Sequence, residues 1–336
     1  MCLVRDIRPA AYRGGMTIGW GFIGAGRFTR TPVAAVAASA GHRVVRIGAR
    51  DPRHATLLAE QVGACSGDYA SVFADDAVDV VHITTTHPFH EEQALAAIAA
   101  GKAVVVEKPM ALNAASARRI TDAATSAGVF AMEAMWLRHQ PLIREVVELA
   151  RSGGIGDVLS VQADFGVRRD YDPSDRLFDL ANGGGALLDL GVYAAAFAWP
   201  FLGRPDSVQA TGALTPAGSD LTAAVQWGYD DGRFAQITST FAAPSPGRGI
   251  VTGSRGWISV EPHYAKGPTL ALVNVDGQTR EIRAEAHRYV DQVEEVGRCL
   301  QEGLTQSPHM PLADTIGVLE TLDRARADLG VVYPCE

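Results

Sequence analysis

Short apolar runs alternate with stretches of helical period over the first part of the chain. Residues 17–23 form a continuous apolar run of strand length. Residues 27–40, rich in Ala and Val, follow as a helix ending near Gly41. Pro32 lies inside that stretch, so the helix either starts late or is kinked. The alternation continues with strand 43–48, helix 54–62, strand 78–84, helix 89–100, strand 103–106, helix 114–127 and strand 129–133. Gly101 and Gly128 suit the positions just past helix ends, and Asn113 suits an N-cap. Buried strands separated by helices predict an α/β unit, a doubly wound parallel sheet with helices on both faces.

The rhythm then changes. Residues 139–151 read as a helix with Pro141 in its first turn, closed by Gly153-Gly154. Segments 158–167, 207–212, 221–229, 234–241, 249–252, 257–260 and 270–275 read as strands. Tight turns such as Asp230-Asp231-Gly232 and Asp276-Gly277 join some of them into hairpins. This half predicts an α+β domain with a mixed or antiparallel sheet, closed by helices 284–303 and 312–329. The expected organisation is a flexible extension 1–15, a dinucleotide-binding Rossmann domain 16–138 and a second domain 139–336. Helix 312–329 is a candidate to pack back on the first domain.

The chain has 336 residues, 47% hydrophobic and 20% charged, with a net charge of −8. No basic block stands out, which argues against direct contact with nucleic acid. Cys2, Cys65, Cys299 and Cys335 are scattered, with no metal spacing and no disulfide framework, so a cytoplasmic location is expected. The apolar stretch 192–202 is too short to span a bilayer, and no membrane partner is expected. The first 15 residues hold Arg5, Arg8, Pro9 and Arg13 and no apolar core of a signal peptide. They read as an extension, or as residues preceding a start at Met16.

Gly19-x-Gly21-x-x-Gly24 has the spacing of a dinucleotide fingerprint but lies on the strand. The register that falls on the strand-to-helix turn is Gly24-Ala25-Gly26-Arg27-Phe28-Thr29. Gly24 allows the tight turn, and Gly26 lets the backbone approach a pyrophosphate at the helix start. Thr29 replaces the usual small third residue. The plain alternative is an ordinary turn. The second strand ends in Ala49-Arg50-Asp51. Arg50 can pair with a 2′-phosphate, which favours NADP. Asp51 keeps NAD possible as a ribose acceptor, Arg53 and His54 are nearby helpers, and a solvated Asp-Pro turn is the alternative. Thr84, Thr85, His87 and His90 follow the next strand and are candidates for the cofactor site. The His87-x-x-His90 pair lacks a third ligand in register, so no metal is expected. His90 suits the cofactor pocket or a helix cap.

Glu107-Lys108-Pro109 delivers a carboxylate, an amine and a rigid ring to the carboxyl edge of the predicted sheet. The chain has three lysines (Lys102, Lys108 and Lys266) among 30 Lys and Arg residues, so a lysine at this edge is unusual. An ammonium can be tuned by burial and can share a proton; a guanidinium cannot. Further on, Gly183-Gly184-Gly185 leads into an apolar helix carrying Asp189 and Tyr193, four residues apart on one face. Alone, they read as a capping Asp and a core Tyr. With Lys108 they make an acid–base relay: an ammonium near a phenol favours phenolate, and such a Tyr moves a proton to or from an alcohol.

These blocks, together with Glu133-Ala134-Met135-Trp136, resemble the glucose–fructose oxidoreductase/inositol dehydrogenase (Gfo/Idh/MocA) family, and within it the dimeric dihydrodiol dehydrogenase and D-xylose dehydrogenase branch. The resemblance covers residues 16–336. It implies an N-terminal Rossmann domain and a C-terminal open-faced sheet for substrate binding and oligomerisation, with a homodimer or tetramer formed through that sheet. It implies hydride transfer between nicotinamide and a hydroxyl or carbonyl carbon of a sugar, cyclitol or cyclic diol. It makes Lys108 the lysine beside the reacting oxygen, Asp189 the substrate-orienting carboxylate and Tyr193 the acid–base. Many members have His at the last position, so Tyr193 argues against an inositol dehydrogenase. Glu107 joins the cofactor set, and Trp136, Arg138, Arg168, Arg169 and Arg176 join the substrate set. The acidic loop 170–179 is a further candidate for the substrate pocket, and solvated charges on a mobile lid are the favoured reading for most of these side chains. A calcium loop is rejected because Asp175 stands at the turn glycine and Ala181 at the bidentate Glu. The competing function is a nonenzymatic NADP-binding sensor on the same fold.

Overall fold

Strands buried on both faces need no polar alternation, and the first sheet is built this way. The computed structural model describes residues 17–285, 289–334 and 336. The expected extension 1–15 and Met16 lie outside the described residues. Strands β1 (Ile18–Ile23), β2 (His42–Gly48), β3 (Cys65–Gly67), β4 (Val80–Ile83), β5 (Ala103–Glu107) and β6 (Ala131–Ala134) pair in the order β3-β2-β1-β4-β5-β6. All five pairings are parallel. Every residue of β1, β4, β5 and β6 is buried.

Helices α1 (Arg30–Ala38), α2 (Pro52–Val62), α3 (Tyr69–Ala74), α4 (His90–Ala99) and α5 (Ala114–Ala127) connect these strands. Helix α1 starts late, which puts Pro32 in its first turn, where a missing N–H is tolerated. Asn113 caps α5, its Oδ1 accepting from Ser116 N at 2.8 Å. Strand β3 and helix α3 escape sequence reading because Cys65-Ser66-Gly67 carries no apolar period.

The chain divides into two compact units. The first takes residues up to Met110, then Arg118–Ala134 and Tyr289–Leu312; the second takes Ala111–Ala117, Met135–Arg288 and Ala313–Glu336. Helix 312–329 falls almost wholly in the second unit. The element that rejoins the first unit is α8 (Val290–Gln301), which packs on α1. A Cβ on Gly297 of α8 would lie 2.7 Å from the His42 ring, and that ring is itself held by Trp20 Nε1 donating to Nδ1 at 2.9 Å. Helix α9 (Leu312–Leu329) is tied into the second unit, where Asp314 pairs with Arg138 and Asp323 accepts from Ala114 N.

The second unit holds an eight-stranded mixed sheet. Its strands are β7 (Val158–Gly166), β8 (Ser207–Leu214), β9 (Asp220–Gly228), β10 (Phe234–Thr240), β11 (Gly249–Gly253), β12 (Gly256–Glu261), β13 (Leu270–Val275) and β14 (Gln278–Arg283). The order is β14-β13-β12-β11-β7-β10-β9-β8. Strands β7 and β10 pair in parallel, and the other pairs are antiparallel. Asp276 and Gly277, with φ of 50° and 80°, form the tight turn between β13 and β14. Strand β14 is a polar edge with one buried residue, Ile282, so its sequence hides it. Helix α6 (Pro141–Arg151) follows a 3-10 turn at Trp136–His139. Helix α7 (Val192–Leu202) covers β7 and β10. The stretch Leu180–Leu202 is long and apolar enough to cross a membrane by composition, yet 83% of its most apolar window is buried within the protein, as in a core helix.

Because the His42 ring cannot yield cheaply, Gly297→Val should overpack the α8 contact and cost about 1–3 kcal/mol. Urea unfolding measures it; an unchanged midpoint would mean that α8 does not seat on the first sheet's helix layer in solution.

Candidate active site

The carboxyl ends of β1, β4 and β5 carry three turns to one edge of the first sheet, where doubly wound folds bind ligands. After β1, Gly24 has φ of 107°. A Cβ there would sit 2.9 Å from Thr84 Oγ1, so both conformation and contact require glycine. Thr84 donates its hydroxyl to Ile23 O at 3.0 Å, so the 2.8 Å contact with Thr29 has Thr29 as donor. Thr29 therefore fits the third fingerprint position by closing on Thr84. It gives no side-chain cap to α1. Gly26, Arg27 and Phe28 beside that uncapped start are exposed, and a Cβ on Gly26 would meet nothing within 4 Å. An open glycine turn at a helix N-terminus fits a dinucleotide pyrophosphate.

After β2, Ala49 is buried and Arg50 is exposed. Among the described residues, Arg50 makes no hydrogen bond or ion pair. Asp51 behaves differently from its expected ribose role. It caps α2 through Arg53 N, and both its oxygens pair with the Arg53 guanidinium at 3.0 and 2.8 Å. That pairing holds the Asp51 carboxyl down at about 2.

After β4, Thr85 donates to Gln93 Oε1 at 2.6 Å. His90 is fully buried, which lowers its pKa. Its ring nitrogens lie 3.0 Å from Pro109 O and 3.1 Å from Thr85 O. His90 thus ties the turn after β4 to the turn after β5. His87 is buried edge-on to it, with ring centroids 5.7 Å apart. Among the described residues no cluster of three His, Cys, Asp or Glu side chains could hold a metal.

After β5, Glu107 is buried. It accepts from Tyr289 Oη at 2.8 Å, His82 Nε2 at 3.1 Å and Lys108 N at 3.3 Å. Glu133 accepts from Met110 N at 3.0 Å. Two buried carboxylates therefore brace the turn that presents Lys108, which is partly exposed and precedes a cis peptide to Pro109. The other lysines are placed otherwise: Lys102 donates to Asp75 O and Val78 O, and Lys266 lies over the Phe165 ring.

In the second unit, Gly184 N and Gly185 N donate to Asp179 O and Leu177 O, each at 2.9 Å. Tyr333 Oη donates to Gly184 O at 3.2 Å. The Asp220 carboxylate accepts from Leu187 N at 2.6 Å. Leu187–Gly191 then forms a π turn before α7 begins. This changes the expected single α-helical face of Asp189 and Tyr193, since a π turn closes one residue later than an α turn. Tyr193 is 9% exposed. Its oxygen accepts from Trp136 Nε1 at 3.1 Å, and Phe165 packs edge-on at 5.5 Å. Asp189 remains partly exposed, with Arg176 NH2 4.0 Å away.

The substrate set divides accordingly. Trp136 pairs with Tyr193, and Arg176 with Asp189. Arg138 is buried and pairs with Asp314 at 2.7 Å. Arg168 pairs with Asp170 at 3.2 Å on an exposed surface, and Arg169 is also exposed. The acidic loop uses Asp172, Asp175 and Asp179 to accept from nearby backbone N–H groups.

Residues 18–135 match an oxidoreductase family model with an NAD-binding Rossmann fold, and residues 143–259 match the GFO/IDH/MocA C-terminal domain. The chain is 33% identical to trans-1,2-dihydrobenzene-1,2-diol dehydrogenase of Mus musculus, over 95% of this chain and 99% of the relative. It is 34% identical to the Xenopus tropicalis enzyme of the same name, over 95% and 100%. The chain belongs to the Gfo/Idh/MocA oxidoreductase family. Its fold is shared with an aldose-aldose oxidoreductase from Caulobacter crescentus complexed with glycerol, at TM-score 0.85 and 23% identity over 94% of this chain and 98% of that one. It is shared as well with a 3-ketoreductase from Actinomadura kijaniata in complex with NADP and TDP-benzene, at TM-score 0.82 and 23% identity over 93% and 97%.

For this Gfo/Idh/MocA chain, sequence reading missed His82, Tyr289 and Asp220. Tyr289 also packs edge-on to Phe28 of the glycine turn, with centroids 6.4 Å apart. An isolated Tyr at a helix start carries no signal of this. Asp220 is fully buried, and burial pushes its carboxyl from 3.8 up to about 6. A raised carboxyl binds its proton more tightly in the folded chain, so stability from this group falls as pH rises from 3.8 through about 6. The full change is about 3 kcal/mol. Urea unfolding of wild type and Asp220→Asn across that range should show the variant gaining relative stability as pH rises. A pH-independent difference would mean that Asp220 titrates alike in both states.

Proposed function

We propose that this oxidoreductase acts with NADP at a hydroxyl carbon of a trans-cyclic diol or sugar, oxidising it to a carbonyl or running in reverse. The observation that carries this reading is the phenol of Tyr193. An indole N–H can only donate, so Trp136 directs its hydrogen at the Tyr193 oxygen and fixes the position of the phenol. The near-full-length relatives named for dihydrodiol oxidation support the cyclic diol.

When bound, the nicotinamide takes up or returns the hydride. Tyr193 receives the proton of the substrate hydroxyl in oxidation and returns it in reduction. The Lys108 ammonium stabilises negative charge on the oxygen atoms as that proton moves. Asp189 accepts from a substrate hydroxyl and orients it, with Arg176 restraining the carboxylate. Arg50 pairs with the 2′-phosphate, a role favoured by its lack of a partner among the described residues and by the commitment of Asp51 to Arg53. The eight-stranded sheet is the surface on which we place assembly into a dimer or tetramer.

Tyr193→Phe and Lys108→Met should each lower turnover on trans-cyclic diols or aldoses by about a hundredfold or more while leaving NADP affinity nearly intact. Nicotinamide absorbance and a fluorescence titration measure the two effects. Tight NADP binding by wild type without turnover on any diol, aldose or cyclitol would favour the nonenzymatic sensor. Arg50→Ala should weaken NADP binding roughly tenfold to a hundredfold and NAD binding much less. Equal losses for the two nucleotides would remove Arg50 from the 2′-phosphate.

A further inference from the structure

We propose that Asp220 is a positioning residue for proton transfer: its buried carboxylate anchors the first amide of Leu187–Leu202 and so sets where Asp189 and Tyr193 point. This inference rests on the reading of Tyr193 and Asp189 given above.

The geometry is specific. Asp220 begins β9 and accepts from Leu187 N in a short bond of 2.6 Å, and an ionised acceptor shortens and strengthens such bonds. Its other oxygen accepts no hydrogen bond among the described residues. A Cβ on Gly185, whose φ is 135°, would fall 2.1 Å from that oxygen. The carboxylate is therefore seated against bare backbone at the start of the segment.

No cation neutralises it among the described residues. Arg326 is the charged neighbour that favours its ionised form, but that guanidinium lies over the Tyr333 ring and is bonded to Asp323 and Glu336. Tyr333 spends its hydroxyl on Gly184 O. A buried carboxylate without an ion-pair partner is costly. At an ordinary α-helix start an asparagine caps about as well. The chain thus carries a charge that simple capping does not require, and burial opposes it.

What the charge supplies is stiffness at an awkward place. The anchored amide belongs to the first residue of the π turn, a geometry rarely adopted without support. Asp189 follows two residues later, and Tyr193 follows the turn. A neutral acceptor would hold Leu187 N more weakly, and the turn could relax toward α geometry. Both side chains would then rotate away from their working positions. Misplacement on this scale slows a proton transfer without unfolding anything.

The test is Asp220→Asn, purified and compared with wild type in three measurements at neutral pH: melting temperature, NADP dissociation constant, and kcat with KM for the best diol or aldose. The expected result is an unchanged or higher melting temperature, an unchanged NADP dissociation constant, and a kcat lower by on the order of tenfold to a hundredfold. A kcat equal to wild type would overturn the proposal. So would a kcat loss accompanied by loss of melting temperature or NADP binding, which a purely structural cap predicts. Tyr193→Phe is measured in parallel. Full turnover in Tyr193→Phe would overturn the acid–base reading and this proposal with it. An inactive Tyr193→Phe beside a wild-type Asp220→Asn would overturn this proposal alone.

Discussion

The close contact between Gly24 and Thr84 governs the nucleotide edge before any chemistry enters. Strands β1 and β4 are neighbours in the parallel sheet, so their carboxyl ends emerge side by side. The chain after β1 must turn at once, with positive φ, against the backbone of Thr84. Only then do Thr29 and Thr84 meet, and only then does α1 start beside an open turn. The glycine is a condition of the backbone path, and the binding surface is its by-product.

The two units use buried carboxylates in the same way. Glu107 and Glu133 accept from the backbone amides of Lys108 and Met110. Asp220 accepts from the amide of Leu187. Each acid sits behind a segment proposed to carry chemistry and fixes its main chain, while the reactive side chain stays outside the brace. This division suits the physics. A backbone amide is a stationary donor that a buried anion can satisfy, whereas Lys108 and Tyr193 must remain able to engage a substrate.

The fold class was legible because fully buried parallel strands are written as unbroken apolar runs. The fingerprint was legible once the pattern lying on β1 was set aside for the one at its end. The Lys108 turn stood out through the scarcity of lysine. Other features were hidden by their range. Asp220 meets Leu187 across 33 residues, Tyr289 meets Glu107 across 182, and Arg138 meets Asp314 across 176. No local pattern encodes such partners, so nothing around Arg138 announces its ion pair with Asp314, and Asp220, just before the expected strand 221–229, draws no reading. Asp51 shows the converse. Its partner Arg53 is two residues away, and the solvated Asp-Pro turn was already among the readings of that stretch.

The π turn at Leu187–Gly191 couples chain length to side-chain direction. A helix widens to π when it accommodates one residue more than an α turn needs. If the same residues closed as α instead, everything beyond the turn would rotate by about 100° relative to the glycines before it. The side chain then facing Trp136 would belong to a different residue of α7. Among relatives, a one-residue gap at this turn therefore carries more meaning than several substitutions around it. An alignment that slides the gap elsewhere would pair Tyr193 with the wrong position while still superimposing every strand.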